Sequence, residues 1–229
     1  KITAQSNMTG GIFLNKDTLQ VGHLKVTNKY TDKDGTTLNA LTGVGNFSTP
    51  IEGTGKFTII PTENSTYSST IKGVSELNYT LLTKGTPHTT SKGLPTLNNI
   101  VDSAAVIKVN NSKATLSYFG SSIAFPKAKI QLGDSVHMHY VINPLADGTT
   151  NIAIGELTGS PTSNLSGCYI RKMTYTIGGL GTDAVFNGTL KPVNIAYFGT
   201  STTDKSQTMY NISKVGKGKW TLAGNNKDF

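Results

Sequence analysis

The chain has 229 residues, of which 36% are hydrophobic and only 15% are charged, and 25 are Gly. It contains no run of 18 apolar residues, which excludes a transmembrane helix, and no charge run or low-complexity tract of the kind typical of disordered chains. A chain of this length accommodates one large β domain or two small ones.

The N-terminal residues alternate between a polar face and an apolar-to-small face, which predicts an extended strand. The apolar-to-small face consists of Ile2, Ala4, Ser6, Met8, Gly10 and Ile12. This strand is either the first strand of its own domain or a free arm that completes the sheet of a neighbouring copy. In the second case these six residues form a subunit interface, and head-to-tail joining produces a filament.

An alternating arm ahead of a body rich in Thr, Asn and Gly resembles the donor-strand extension of chaperone–usher fimbrial subunits. The resemblance implies a homopolymer in which the arm of one subunit inserts into the next, and a periplasmic assembly chaperone as a further partner. We therefore divide the chain into an arm at residues 1–12 and a β domain at residues 13–229. The start at Lys1-Ile2-Thr3, without Met or an apolar leader, predicts an exported chain whose signal peptide has been removed.

Turn signals recur between short β-prone runs throughout the rest of the chain. They lie at Asp34-Gly35, Asn110-Asn111, Asp147-Gly148 and Asn187-Gly188. Asp-Gly and Asn-Gly pairs are typical of two-residue hairpin turns, which join adjacent antiparallel strands. We therefore predict an all-β fold, an antiparallel β-sandwich of the Ig-like type with Greek-key connections.

Two segments interrupt this pattern. Residues 83–95 are rich in Thr, Ser, Gly, Pro and Lys and form the best candidate for a long loop or linker, so two subdomains remain an alternative to one sandwich. Between Leu97 and Ala105 apolar residues recur at helical spacing, which predicts one short helix or a loop.

His137 and His139 are the candidate metal ligands, because residues two apart on a strand share a face. A third ligand would have to come from His23, His88 or Asp134, and two solvent-facing histidines without a metal are the alternative. Cys168 is the single cysteine, so it cannot form an intrachain disulfide, and we interpret it as a buried thiol. The sequence predicts no catalytic residue and no cofactor.

The net charge of +8 does not indicate a nucleic-acid partner. Arg171 is the only arginine, and phosphate and base recognition depend largely on the planar guanidinium group. Most lysines are scattered, apart from Lys214, Lys217 and Lys219 near the C-terminus. We interpret the lysines as solubilising, with weak attraction to an acidic surface or a polyanionic glycan as the alternative.

We therefore expect a non-enzymatic, extracellular structural or adhesive subunit that polymerises through its N-terminal strand. The alternative is an adhesin that binds a host carbohydrate or receptor, or a viral or phage attachment domain. In that case Tyr67, Tyr118 or Tyr197, with neighbouring Asn and Thr, would contact sugar. An enzyme would require His137 and His139 to hold a metal ion with an open coordination site.

Overall fold

The structure is a computed structural model that describes part of the chain. The backbone is described at residues 12–14, 18–20, 29–31, 37–39, 46–47, 51–53, 56–59, 66–67, 70–81, 96–97, 100–101, 105–111, 117–121, 124–140, 150–167, 173–191 and 210–226. Side chains are described at residues 56, 70–81, 105–111, 124–138, 151–167, 173–191 and 210–226.

Three sheets account for nearly all of the described strands, and every strand pair within them is parallel. The long sheet consists of β2 (Thr18–Gln20), β7 (Lys56–Ile59), β10 (Glu76–Leu81), β13 (Val106–Asn111), β15 (Phe125–Leu132), β17 (Thr150–Gly159), β19 (Met173–Ile177), β20 (Ala184–Phe186), β22 (Tyr210–Lys214) and β23 (Trp220–Leu222). The second sheet consists of β5 (Asn46–Phe47), β8 (Thr66–Tyr67), β11 (Thr96–Leu97), β14 (Ser117–Ser121), β16 (Val136–Tyr140), β18 (Asn164–Ser166) and β21 (Thr189–Lys191). The third sheet consists of β1 (Ile12–Leu14), β6 (Ile51–Gly53), β9 (Thr70–Lys72) and β12 (Ile100–Val101).

The chain visits these sheets in turn and adds about one strand to a sheet each time it passes. It leaves β15 in the long sheet, forms β16 in the second sheet, and returns to form β17, which pairs with β15. Such a path, in which each coil pairs with the coils before and after it, is a parallel β-solenoid. The predicted antiparallel β-sandwich is therefore wrong.

Three of the four predicted hairpins are wrong for the same reason. The strands on either side of Asn110-Asn111, of Asp147-Gly148 and of Asn187-Gly188 belong to different sheets and do not pair with each other. Asn110-Asn111 and Asn187-Gly188 thus lie where the chain leaves the long sheet for the second sheet, whereas Asp147-Gly148 lies outside the described residues. The hairpin around Asp34-Gly35 is confirmed, because β3 (Lys29–Thr31) and β4 (Thr37–Asn39) form an antiparallel pair.

The predicted helix between Leu97 and Ala105 is also wrong. Its described residues lie in the short strands β11 and β12, which belong to two different sheets, and none of the described residues of the protein form a helix. The predicted linker at residues 83–95 lies outside the described residues. The strand before it, β10, pairs with β13, which comes after β11 and β12 along the chain.

The solenoid interior is filled by rows of side chains that stack from one coil to the next. One interior row contains Leu77, Ile107, Ile130 and Leu157, each 0–1% exposed. A second row contains Tyr79, Val109, Leu132, Gly159, Phe186 and Leu222. Alternation along each strand places these residues inward and their neighbours outward, so stacking of coils builds one continuous apolar core.

Buried tyrosines connect the long sheet to the second sheet across this interior. The Tyr175 hydroxyl donates to the carbonyl of Ser166 at 2.8 Å, and the Tyr210 hydroxyl donates to the carbonyl of Leu165 at 2.9 Å. The two rings meet edge to face with centroids 5.6 Å apart. Burial raises the pKa of Tyr210, an effect that the Lys191 backbone hydrogen bond partly offsets, so this hydroxyl stays protonated as a donor.

The described C-terminal strands are held by side-chain hydrogen bonds as well as by the ladder. Trp220 Nε1 donates to the Leu157 carbonyl at 2.9 Å, and the backbone N–H of Leu190 donates to Asn226 Oδ1 at 2.7 Å. No described segment forms a helix of the length and apolarity that a membrane crossing requires.

Candidate functional site

Charged residues on the outer face of the long sheet occur mostly as ion pairs. Lys56, Glu76, Val106, Lys129 and Glu156 occupy equivalent positions on successive coils. Lys129 Nζ lies 3.0 Å from Glu156 Oε2, which also accepts a hydrogen bond from the Thr182 hydroxyl. The Glu156 side chain is thereby held as a paired carboxylate although it is almost completely buried.

Glu76 lies between two lysines. Its carboxylate is 2.7 Å from Lys108 Nζ and 3.6 Å from Lys56 Nζ, and it accepts a hydrogen bond from Asn78 Nδ2 at 3.0 Å. Burial alone would raise the pKa of Glu76, but the hydrogen bonds from Lys108 and Asn78 and the charges of both lysines outweigh burial and lower it. The charge of Lys108 is therefore partly compensated, because Glu76 is shared between two lysines.

Beside these ion pairs lies an open polar groove of about 290 Å³, which we call the axial groove. It crosses four consecutive strands of the long sheet, β13, β15, β17 and β20, close to their C-terminal ends. Its polar side chains are Lys108, Asn110, Gln131, Thr158, Ser160 and Asn187. Leu132, Gly133, Gly159 and Val185 complete its lining.

The register of the parallel ladder explains why these residues meet. Lys108, Gln131 and Thr158 are direct partners on adjacent strands, so their outward positions form a row along the solenoid axis. A second row follows at the corner, where the backbone N–H groups of Gly133, Ser160 and Asn187 each donate to the preceding coil at 2.8–3.1 Å. Residues far apart in sequence thus become neighbours at the inter-strand spacing of about 4.8 Å.

The groove offers hydrogen-bonding groups and little net charge. Its side chains supply three amides and two hydroxyls, each of which can donate and accept hydrogen bonds. The one ammonium group among them, on Lys108, is paired with Glu76. Such a surface is suited to a ligand rich in hydroxyl groups and carries no activated nucleophile or acid–base pair.

The structure places the predicted site residues elsewhere. His137 is 8% exposed, and its Nε2 lies 2.8 Å from the Ser166 hydroxyl oxygen. The side chain of His139 lies outside the described residues, as do Cys168, His23, His88 and Tyr197. Asp134 accepts a hydrogen bond from the Thr162 hydroxyl at 3.2 Å. Within the part of the chain that is described, no group of three or more His, Cys, Asp and Glu side chains is arranged to hold a metal ion.

Of the predicted subunit-interface residues, one is described. Ile12 begins β1 and pairs with Ile51 of the same chain. Ile2, Ala4, Ser6, Met8 and Gly10 lie outside the described residues. Tyr67 and Tyr118 lie in the second sheet, on β8 and β14, whereas the axial groove lies on the long sheet.

Sequence reasoning did not identify the axial groove. Its residues are ordinary polar positions of alternating strands, and they form a set only if Lys108, Gln131 and Thr158 are aligned as partners in a parallel sheet. A search for outward amide and hydroxyl residues at equivalent coil positions would have found them.

Comparison of the chain with protein-family models, with curated proteins and with solved structures finds no match.

Proposed function

We propose that this chain is a non-enzymatic structural protein of an extracellular surface, in which the solenoid acts as a stiff spacer. The observation that carries the proposal is the continuous parallel ladder of the long sheet, which runs in chain order from β2 to β22. Backbone hydrogen bonds and stacked interior rows connect each coil to the next, so the described coils behave as one mechanical element.

The outer surface supports the same role. Hydroxyl, amide and glycine positions and scattered lysines make up most of the exposed positions among the described residues. A surface that is polar and carries an excess of positive charge resists association through apolar patches. This property suits a protein that separates other components from a surface.

Polymerisation through the N-terminal residues is the second part of the proposal. In this fold a strand from another copy would have to extend a parallel ladder, in the manner of β-augmentation. Residues 1–11 precede β1 and alternate in the way that such an added strand requires. Because Ile12 pairs within its own chain, the proposed arm ends at residue 11.

The test combines location with assembly. Antibodies against the purified protein should label intact cells of the source organism, and electron microscopy of the native material should show filaments. Deletion of residues 1–11 should leave a folded monomer by circular dichroism and sedimentation. Labelling that requires permeabilised cells would overturn the surface role, and unchanged assembly after the deletion would overturn the arm.

A further inference from the structure

We infer that the axial groove is a binding site for an uncharged glycan chain that lies along the solenoid axis. This inference adds a binding activity to the proposed spacer role and does not depend on polymerisation. It is carried by the composition, the alignment and the charge balance of the groove.

The composition of the groove is that of a sugar-binding surface without an enzymatic centre. Asn110, Gln131 and Asn187 contribute amides, and Thr158 and Ser160 contribute hydroxyls. Sugar hydroxyls both donate and accept hydrogen bonds, and amide and hydroxyl side chains can complement them in both roles. The hydrogen-bonding capacity of the groove is therefore matched to a polyol.

The alignment of the groove favours a chain over a single sugar. Its polar rows cross four coils, so at about 4.8 Å per coil the contacts extend over about 14 Å. Neighbouring coils present different hydrogen-bonding groups at equal steps, and a ligand that spans several coils can use several of them at once. Affinity should consequently rise with the length of the oligosaccharide.

Two uncharged positions shape the path of the ligand. Gly133 lies between Asn110 and Ser160 and has no side chain, and a Cβ there would meet the Val109 carbonyl oxygen at 3.0 Å. Val185 is 45% exposed and gives the groove an apolar patch on its last coil. A pyranose ring, whose C–H face is apolar and whose edge carries hydroxyls, can place its apolar face against Val185 and its edge against the polar side chains of the neighbouring coils.

The charge balance favours a neutral glycan over a sulfated or acidic one. Lys108 Nζ is 2.7 Å from Glu76 Oε2, so an anionic ligand would have to compete with a carboxylate already in place. Transfer of a sulfate or carboxylate from water into this partly compensated site gains little Coulomb energy. A ligand that uses hydroxyl groups leaves the ion pair intact.

The experiment uses the purified full chain and a panel of oligosaccharides. Neutral disaccharides and hexasaccharides of glucose, mannose and N-acetylglucosamine are titrated by calorimetry and by saturation-transfer NMR, with a heparin hexasaccharide as the anionic comparison. We expect at least one neutral hexasaccharide to bind about tenfold more tightly than its disaccharide. Binding should be the same at about 50 and about 300 mM NaCl, because no charge is neutralised.

Matched variants locate the site. Thr158→Trp fills the groove from an outward strand position and should weaken hexasaccharide binding at least tenfold. Thr176→Trp places the same side chain at an outward position of β19, away from the groove lining, and should leave binding unchanged. If Thr158→Trp does not fold, the double variant Gln131→Ala with Asn187→Ala removes two amides and should weaken binding at least tenfold.

Three results would overturn the inference. They are the absence of binding to every neutral hexasaccharide, equal losses in the Thr158→Trp and Thr176→Trp variants, and preferential binding of heparin that weakens with salt. The last result would show that this surface binds polyanions. Each result is obtained on the isolated protein, so it stands apart from the location and assembly tests above.

Discussion

Leu132 and Leu222 occupy the same interior row of the solenoid but differ greatly in exposure. Leu132, on β15, is 2% exposed, whereas Leu222, on β23, is 41% exposed. Leu132 has coils on both sides, and β23 pairs with β20 alone among the described strands. A missing strand partner alone does not expose a residue, because Leu190 on β21 and Tyr210 on β22 also have one paired strand each among the described strands and are only 1% and 4% exposed. Leu222 therefore lies outside the packed core as well as lacking a second flanking strand.

Hydrogen bonds between side chains and backbone fasten both regions. In the central coils, which also have stacked interior rows on both sides, Asn111 Nδ2 donates to the Ser135 carbonyl at 3.0 Å. The C-terminal strands make several such bonds. Trp220 reaches back to Leu157, Asn226 to Leu190, and the N–H of Lys219 donates to Asp183 Oδ1 at 2.7 Å. Directed hydrogen bonds thus supplement packing where the apolar row is covered on one side only.

The sharpest test of this comparison truncates the same side chain in both regions. Leu132→Ala should lower the free energy of unfolding by about 2–5 kcal/mol, because it opens a cavity between packed coils. Leu222→Ala should lower it by less than about 1 kcal/mol, because much of that side chain is already hydrated. Urea denaturation followed by circular dichroism measures both, and equal losses would contradict the comparison.

The absence of a side chain at Gly159 gives a second test. Gly159 faces Phe186 in the interior row, and a Cβ there would lie 2.5 Å from both the Phe186 ring and the Ser163 hydroxyl. Gly159→Ala should therefore cost about 1–3 kcal/mol of stability. The control is Gly179→Ala, at an exposed site where an added Cβ would lie 3.7 Å from the nearest atom. This substitution should change the free energy of unfolding by less than about 0.5 kcal/mol.

A double-mutant cycle shows whether the Phe186 ring is the cause. Phe186→Leu removes part of the ring, so adding Gly159→Ala to that variant should cost less than adding it to the wild type. Additive losses would mean that the penalty arises from the Ser163 contact or from the backbone of β17.

The smallest expected effect concerns the ion pairs of the central coils. The pKa of Glu76 is lowered from its ordinary value of 4.5, so the folded state binds this proton less readily than the unfolded state. The stabilisation is complete above about pH 4.5 and is lost as the pH falls through the lowered value. Glu76→Gln should cost at most about 1 kcal/mol at pH 7 and almost nothing at pH 2.

Urea titrations of wild type and Glu76→Gln across this pH range make the measurement. Lys108→Gln is the matched variant, since it removes the same ion pair from the other side and should show a loss of similar size at pH 7. If the loss of stability in Glu76→Gln does not change with pH, the pair stabilises the fold through packing and not through its charges.

The all-β character was predictable from the sequence, but the direction of strand pairing was not. Buried parallel sheets usually have continuous apolar strands, whereas solvated antiparallel sheets alternate. In a solenoid each parallel sheet has one solvent-exposed face. Buried and more exposed residues therefore alternate along β10 and β13, as they do in antiparallel strands. The coils also differ in length, because the equivalent positions Glu76, Val106 and Lys129 are separated by unequal numbers of residues. The sequence of these coils therefore has no fixed repeat period.

The candidate site was hidden for the same reason. His137 and His139 suggested a metal site because residues two apart on a strand share a face, whereas the structure shows that His137 is buried against Ser166. The groove residues Gln131 and Thr158 carry no local signal at all. Their relation exists only through the register of the long sheet, which a single sequence read strand by strand does not supply.

The chain-order ladder of the long sheet has a mechanical consequence. The chain enters the ladder at β2 and reaches its other end at β22, so tension applied between these strands acts along the hydrogen bonds that join the coils. The strand pairs would then separate one after another, and each would release a length of unfolded chain while the remaining pairs continue to bear load. A tether built this way lengthens in steps under shear before it fails.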